Sequence, residues 1–497
     1  MPGLILAIDQ GTTNTKALLV DRDGRPVFRT SVSVELLQPR PGMLEQDPLA
    51  LWDSVRSVAA ACTDWASAQG SRIEGIALSN QRETAVAWRQ SGQPAAPAIS
   101  WQCQRSASVC EQVATHAEAI RSRSGLPLGT LLTAGKWRWL LDHHSNLRNA
   151  AASREVCLGT VDTWLLWKLT DGKVHATDAS NASRTGLLNL CTVAWDEELL
   201  RIFDIPEEAL PGIRPSSGEI GSCVSIPELR GVPIVSLIGD SHAALAGHGR
   251  YAPGSTKATY GTGSSLMMLT EEPLASEVLA RTIAWSASGK VQYALEGNIP
   301  MTGAAVQWVG EFLGFAEPAR DAAALAETVS DSAGIVLVPA MVGLGAPWWD
   351  SEARGLVANL GRFHKAAHLA RAALESIAFQ VTDVFVAMER ACGAALPGLA
   401  ADGGATRNAT LMQLQSDLLQ RPVHRSGCED LSALGAAWLG GLALGWWESV
   451  AQLAELRRES DTFCPQMKAP ERDDLYRAWL EGVERARSRS VTGKERS

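Results

Sequence analysis

Residues 4–20, Leu4-Ile5-Leu6-Ala7-Ile8-Asp9-Gln10-Gly11-Thr12-Thr13-Asn14-Thr15-Lys16-Ala17-Leu18-Leu19-Val20, constrain the fold more than any other stretch. Two apolar runs, Leu4–Ile8 and Ala17–Val20, have strand length and strand composition, so the stretch reads as a β-hairpin with a polar tip. Gly11 lets the backbone turn tightly. The hydroxyls of Thr12, Thr13 and Thr15 stand beside exposed N–H groups, and such a turn can cradle a phosphate. Asp9, at the end of a buried strand, is positioned to hold Mg2+ through water, and Lys16 can neutralise phosphate charge. The alternative is a polar hairpin tip with an acidic turn residue, since short Gly/Thr patterns are common.

A weaker copy follows roughly 250 residues later. Thr256-Lys257-Ala258-Thr259-Tyr260 leads into Gly261-Thr262-Gly263-Ser264-Ser265 and then Leu266-Met267-Met268-Leu269, again strand, Gly/Thr turn, strand. Two such hairpins imply a duplicated α/β architecture in which each half contributes one jaw. At 497 residues the chain exceeds one ordinary core. The sequence changes character around Gly247–Gly254, which divides it into 1–247 and 248–497.

Several strand ends between and beyond the hairpins deliver polar groups. Ile73–Ser79 reads as a strand ending in Asn80-Gln81-Arg82-Glu83, where Arg82 and Glu83 either bracket a polyol or form an ordinary surface ion pair. Trp101 either stacks on the carbon face of a sugar or fills core. Gly129 to Lys136 lacks Walker A spacing, because five residues separate Gly129 from Gly135 and Trp137 follows Lys136. Asp162 or Thr163 is the expected cap of the helix beginning near Gly159. The stretch Asp178–Thr185 reads equally as a solvated turn or a donor-rich ligand loop. Pro233–Gly239 is an apolar strand that delivers Asp240 at a strand-to-helix junction, a seat for a general base or a helix cap. His242 either donates to substrate or sits neutral in a packed interior. Ala400–Asn408 is a glycine turn opening a helix whose first N–H groups suit an anion or a ribose.

Composition narrows the function classes. A net charge of −9 with no basic stripe argues against nucleic acid as a partner. No apolar run approaches the ~18 residues of a membrane span, and the chain enters a strand at once, without a signal peptide. Nine scattered cysteines without a CxxC pair read as reduced thiols, and hence a cytoplasmic location. The polar segment from Arg485 to Ser497 is expected to fray.

Taken together, Asp9-Gln10-Gly11-Thr12-Thr13, Asn80-Gln81-Arg82-Glu83, Trp101-Gln102-Cys103, Gly159–Trp164, Gly239-Asp240, Tyr260-Gly261-Thr262-Gly263, Leu344-Gly345-Ala346-Pro347 and Asp402-Gly403-Gly404 resemble the FGGY carbohydrate kinases, with the glycerol kinases as the nearest branch. The resemblance implies two actin-like, ribonuclease H-like domains with ATP and the phosphate acceptor in the cleft between them. It implies that Thr12, Thr13, Asn14, Lys16 and Thr262 contact phosphates, and that Gly303, Gln307, Gly404 and Asn408 hold the nucleotide. Asp240 matches the catalytic base, Asp9 and Asp240 the Mg2+ site, and Arg82, Glu83 and Trp101 the acceptor ligands. A homodimer or homotetramer is the assembly that the resemblance carries.

Departures from the glycerol kinase pattern point to the acceptor. An aromatic after the Gly-Thr-Gly turn is replaced by Ser265, a tyrosine before the Lys136 helix by Leu131, and two glutamines after the catalytic Asp by Ser241 and His242. An aromatic-to-Ser change opens space, so the expected acceptor is a polyol or sugar larger than glycerol, such as a tetritol, pentitol or ketopentose. Glycerol is the close alternative. A non-catalytic ATP-binding switch is the remote one, and it has no use for Arg82, Glu83, Trp101 and Asp240.

Overall fold

The computed structural model describes residues 2–457 and 459–488. β1 (Gly3–Gln10) and β2 (Asn14–Val20) form the expected hairpin, with Asp9 opposite Lys16. β3 (Pro26–Ser33) continues it antiparallel. Helix α1 (Pro48–Ala68) starts where Asp47 accepts the Leu49 N–H and Pro48 enters the first turn. β4 (Arg72–Asn80), β5 (Ser217–Ser222) and β6 (Pro233–Gly239) complete a six-stranded sheet in the order β5-β6-β4-β1-β2-β3. β1, β4 and β6 are parallel neighbours, and β5 is antiparallel at the edge. Helix α2 (Asp240–Gly247) leaves directly from β6.

The second sheet contains β7 (Thr256–Tyr260), β8 (Ser264–Thr270), β9 (Ala280–Ala287), β10 (Lys290–Ile299), β11 (Leu399–Asp402), β12 (Val423–Ser426) and β13 (Glu459–Phe463), in the order β9-β10-β8-β7-β11-β12-β13. Its plan repeats the first. A hairpin, β7-β8, is followed sideways by two parallel strands and an antiparallel edge strand, with antiparallel strands on the hairpin's other side. The two Gly/Thr hairpins therefore mark equivalent positions in two sheets of one design.

Strand alternation shows how the sheets are joined, because successive side chains leave opposite faces. Leu4, Leu6 and Ile8 of β1 pack with Leu51, Val55 and Val58 of α1. Ile5 and Ala7 instead face a core shared with Ala243–Ala246 of α2, and with Leu434 and Trp438 of helix α3 (Leu431–Ala443). On β8, Met267 and Leu269 enter that same shared core, while Leu266 and Met268 face the second sheet's own helices. Two sheets thus enclose a pair of helices, α2 and α3, beneath a cleft. α3 packs against the first sheet although in sequence it lies between β12 and β13 of the second.

Two local expectations are corrected. Thr160 occupies the N-cap of the Val161–Leu169 helix, and Asp162 inside it is buried, accepting from Thr160 and Thr177 hydroxyls. Asp178–Thr185 is no solvated turn: every residue of it is buried. Asp178 caps the short helix Ala179–Ala182, and Asn181 exchanges amide hydrogen bonds with Asn80. All nine cysteines are unpaired. Among the described residues no helix is long and apolar enough to cross a membrane. Arg485 and Ala486 end the Ala469–Ala486 helix; residues 489–497 of the segment expected to fray lie outside the described residues.

Candidate active site

Register gathers the site. Gln10, Asn80 and Gly239 stand side by side at the carboxyl ends of β1, β4 and β6. The residues that follow them therefore emerge together at one edge, where α/β sheets collect ligands: Gly11–Thr13, Gln81–Glu83 and Asp240. The first hairpin tip is braced from behind. Gln81 Nε2 donates to Gln10 Oε1 (3.1 Å) and Gln46 Oε1 (2.8 Å), and Gln46 Nε2 donates to the Thr12 carbonyl (2.8 Å). Trp101 Nε1 donates to Thr12 Oγ1 at 2.9 Å, so this indole braces the hairpin. Thr13 and Asn14 stay exposed at the tip.

The second hairpin approaches from the other sheet. Thr262 is exposed, and its carbonyl accepts the N–H groups of Thr302 and Ala304. A Cβ on Gly303 would lie 2.6 Å from the Gly261 carbonyl oxygen, so only glycine permits that helix start to meet the hairpin. Gly403, at φ +97, sits equally close to Tyr260, which brings the exposed Gly404 beside the same turn. Two nucleotide candidates are otherwise engaged. Gln307 is exposed and donates to Glu311, while Asn408 caps the Ala409–Leu419 helix and donates to Glu327. Lys16 Nζ pairs with Asp430 at 3.0 Å, as does Arg29 Nε at 2.7 Å. In this arrangement the ammonium group spans to the N-cap of α3.

Between the hairpins runs a chain of alternating charges. Arg82 Nε donates to Asp240 Oδ1 at 3.1 Å, and Arg82 Nη1 lies 2.8 Å from Glu296 Oε1. Arg184 Nη1 lies 2.7 Å from Glu296 Oε2, and Arg184 Nε donates to Glu83 Oε1 at 2.7 Å. Arg82 and Glu83 are thus no surface ion pair; each is buried and each has a separate partner. The two arginines hold Glu296 well below the usual carboxylate range despite its burial. Behind Glu83, burial pushes the Lys136 ammonium down to about 8, and its Nζ donates to the Leu131 carbonyl. Ser265 Oγ donates to Glu296 at 3.1 Å.

His242 takes the packed-interior place, one of the two expected for it. It is fully buried, its Nε2 lies 3.2 Å from Thr282 Oγ1, and burial holds its pKa well below the usual histidine value. Ser241 is half-buried, and its N–H donates to Asp240 Oδ1 at 2.6 Å. Four buried groups beside this site were not among the expected site residues: Arg184, Glu296, Lys136 and Lys257. For Glu296 the available signal was a charge after the apolar run Tyr293-Ala294-Leu295.

Asp240 keeps 37% of its side-chain surface open to the cleft, yet it stands deep enough that burial raises its pKa, with Arg82 opposing. Asp9 accepts from Ser79 Oγ at 2.7 Å. Burial pushes its pKa up to about 6, and the nearby Asp240 charge adds to that. Two desolvated carboxylates within electrostatic reach of each other, with oxygen donors only, suit a hard cation such as Mg2+. Among the described residues no group of three or more His, Cys, Asp or Glu side chains forms a metal site. Mg2+ that shares its coordination with substrate phosphates needs only one or two carboxylates.

The raised pKa of Asp9 gives a signed expectation. With about 6 in the folded chain against 3.8 as the ordinary value, the native state holds the extra proton between those limits. The group therefore favours folding below pH 4 and loses that contribution as pH rises to about 6. Asp9→Asn is expected to flatten the pH 4–6 slope of stability measured by urea unfolding, and an unchanged slope would refute this assignment.

The N-terminal domain of the FGGY family of carbohydrate kinases matches residues 4–247, and the family's C-terminal domain matches residues 256–444. The apulose kinase of Pectobacterium atrosepticum is 46% identical over 98% of this chain and 99% of its own. A glycerol kinase of Symbiobacterium thermophilum is 44% identical over 98% of each. The crystal structure of Plasmodium falciparum glycerol kinase with ADP superposes with a TM-score of 0.91 at 30% identity, covering 98% of both chains. A xylulose kinase from Lactobacillus acidophilus, 24% identical over 96% of this chain and 97% of its own, shares the fold with a TM-score of 0.86. The chain belongs to the FGGY family of carbohydrate kinases, which are ATP-dependent phosphotransferases acting on small sugars and polyols.

Proposed function

We propose that this kinase transfers the γ-phosphate of ATP to a hydroxyl of a tetritol, pentitol or ketopentose. The observation that carries the reading is Ser265. This small polar side chain stands beside Glu296 and Arg82, where glycerol kinases carry an aromatic. A three-carbon substrate would leave that space to water, and acceptor-site groups left without hydroxyl partners weaken it by up to ~10⁴–10⁵-fold. The 46% identity to an apulose kinase, which acts on a ketose, supports the larger acceptor. The 44% identity to a glycerol kinase favours glycerol as the second reading.

In this mechanism Asp240 takes the proton of the attacking hydroxyl as its oxygen bonds to the γ-phosphorus and the bond to ADP breaks. Arg82 and Glu83 orient neighbouring hydroxyls, one donating and one accepting, and Trp101 walls the carbon face. Thr12, Thr13, Asn14 and Thr262 hold phosphate oxygens from opposite sides, with Lys16 adding positive charge when Asp430 releases it. Gly303, Gln307, Gly404 and Asn408 line the nucleotide end. Asp9 and Asp240 would hold Mg2+, which supplies charge neutralisation to the phosphates. Phosphoryl transfer requires positioning and neutralised charge more than covalent help, which suits two converging polar turns. The division at Gly247/His248 assigns the acceptor side to residues 1–247 and the nucleotide side to 248–497. A cytoplasmic enzyme with reduced thiols accords with its unpaired cysteines.

A coupled ADP-release assay over glycerol, erythritol, xylitol, xylulose, ribulose and apulose tests the reading. A four- or five-carbon acceptor is expected to give the highest kcat/KM. Glycerol giving the highest value would overturn the enlarged-pocket argument.

A further inference from the structure

Glu296 belongs to neither hairpin. It stands within β10 of the second sheet and is fully buried, yet both of its cationic partners, Arg82 and Arg184, come from the first half of the chain. A carboxylate in that position is tolerated only while both partners remain in place, because a buried charge without compensation is strongly destabilising. The two acceptor candidates are each tied down by one end of this scaffold. Arg82 commits Nε and Nη1 to Asp240 and Glu296, and Glu83 commits Oε1 to Arg184. Arg82 Nη2 and Glu83 Oε2 take part in none of these pairs, so each group keeps one polar atom for an incoming hydroxyl. Glu83 also holds a left-handed backbone, φ 60, which a non-glycine residue keeps only where its surroundings fix it. The Arg184 pair supplies such a restraint.

Resting on the sugar and polyol reading above, we propose that Glu296 is a positioning residue: it fixes Arg82 directly, and Glu83 through Arg184, for the acceptor hydroxyls. Because Glu296 hangs from the second sheet, the acceptor ligands of the first half are in register only when the two halves are aligned as they are here. Ser265, the neighbour of β10 on β8, holds the same carboxylate by its hydroxyl and contributes in the same direction.

Glu296→Asp separates this role from simple packing. It keeps the charge, but its shorter arm cannot reach both guanidinium groups. With the best acceptor of the panel, its KM is expected to rise about 10-fold while the KM for MgATP stays within about twofold, a misplacement cost confined to one ligand. Ser265→Ala, which removes a single hydrogen bond, is expected to raise the acceptor KM about threefold, and it decides the matter if Glu296→Asp fails to fold. An unchanged acceptor KM in the folded variants, or acceptor and ATP values rising together, would overturn the proposal. Hydrogen exchange of the ligand-free chain reads the same restraint without an acceptor: amides 81–84 and 182–185 are expected to exchange faster in Glu296→Asp, and equal rates would overturn it. A wild type inactive on every panel member would instead overturn the functional reading, leaving hydrogen exchange to decide the role of Glu296.

Discussion

Asp240→Asn is expected to lower kcat about 10²–10⁴-fold, the usual contribution of a positioned base, while leaving the fold intact. The substitution is close to isosteric. Oδ1 already accepts from Arg82 Nε and from the Ser241 N–H, and an asparagine carbonyl can accept both. What disappears is the ability to take a proton at the other oxygen, on the side open to the cleft. Burial raises the pKa of the carboxylate, which makes it a better base, and Arg82 opposes that rise. Loss of the charge also leaves Arg82 with Glu296 as its remaining strong partner, so the acceptor KM is expected to change far less than kcat. Single-turnover phosphorylation by the purified variant, alongside its melting transition, checks both parts. Near wild-type turnover in a folded protein would remove Asp240 from the role of base.

The features that could be read in the sequence are those whose signal is local. The Gly11–Thr13 and Gly261–Gly263 turns lie between apolar runs, and the structure has hairpins at both. Pro233–Gly239 is apolar up to Asp240, so a buried strand presenting one carboxylate could be expected, and β6 and α2 meet there. Topology hid the rest. Arg184 lies among Ser, Asn and Thr residues that look like a solvated turn, and it becomes a buried cation only because Glu83, 101 residues away, and Glu296 pair with it. Nothing local in the sequence marks Lys136 or Lys257 as buried, yet both are. The same holds for His242. In the sequence it fits either a substrate contact or a packed interior, and its burial in the first turn of α2 puts it in the interior. Lys16 illustrates the reverse case. Its place opposite Asp9 follows from the hairpin, whereas its partner Asp430 arrives from the far end of the chain.

The small-residue helix Ala433-Leu434-Gly435-Ala436-Ala437 shows the same division, and it carries the second large expected effect. Close packing can be read from its composition, but the surface it meets cannot. In the structure a Cβ on Gly435 would lie 1.9 Å from the Ala243 carbonyl oxygen and 2.7 Å from the Gly247 nitrogen, both backbone atoms of α2. Backbone cannot swing aside as a side chain can, so Gly435→Ala must push α2 and α3 apart. Such overpacking costs about 1–3 kcal/mol. The displacement also reaches the chemistry, because Asp240 is the first residue of α2 and Asp430, which holds Lys16 and Arg29, is the N-cap of α3. A shift approaching 1 Å at a reacting group can cost about 10²-fold. Gly435→Ala is therefore expected to lose both stability in urea unfolding and most of its kcat. Gly129→Ala, where an added Cβ meets nothing within 4 Å, is expected to retain both. If Gly435→Ala kept wild-type stability and turnover, α2 and α3 could not be the close-packed pair that seats Asp240 under the cleft.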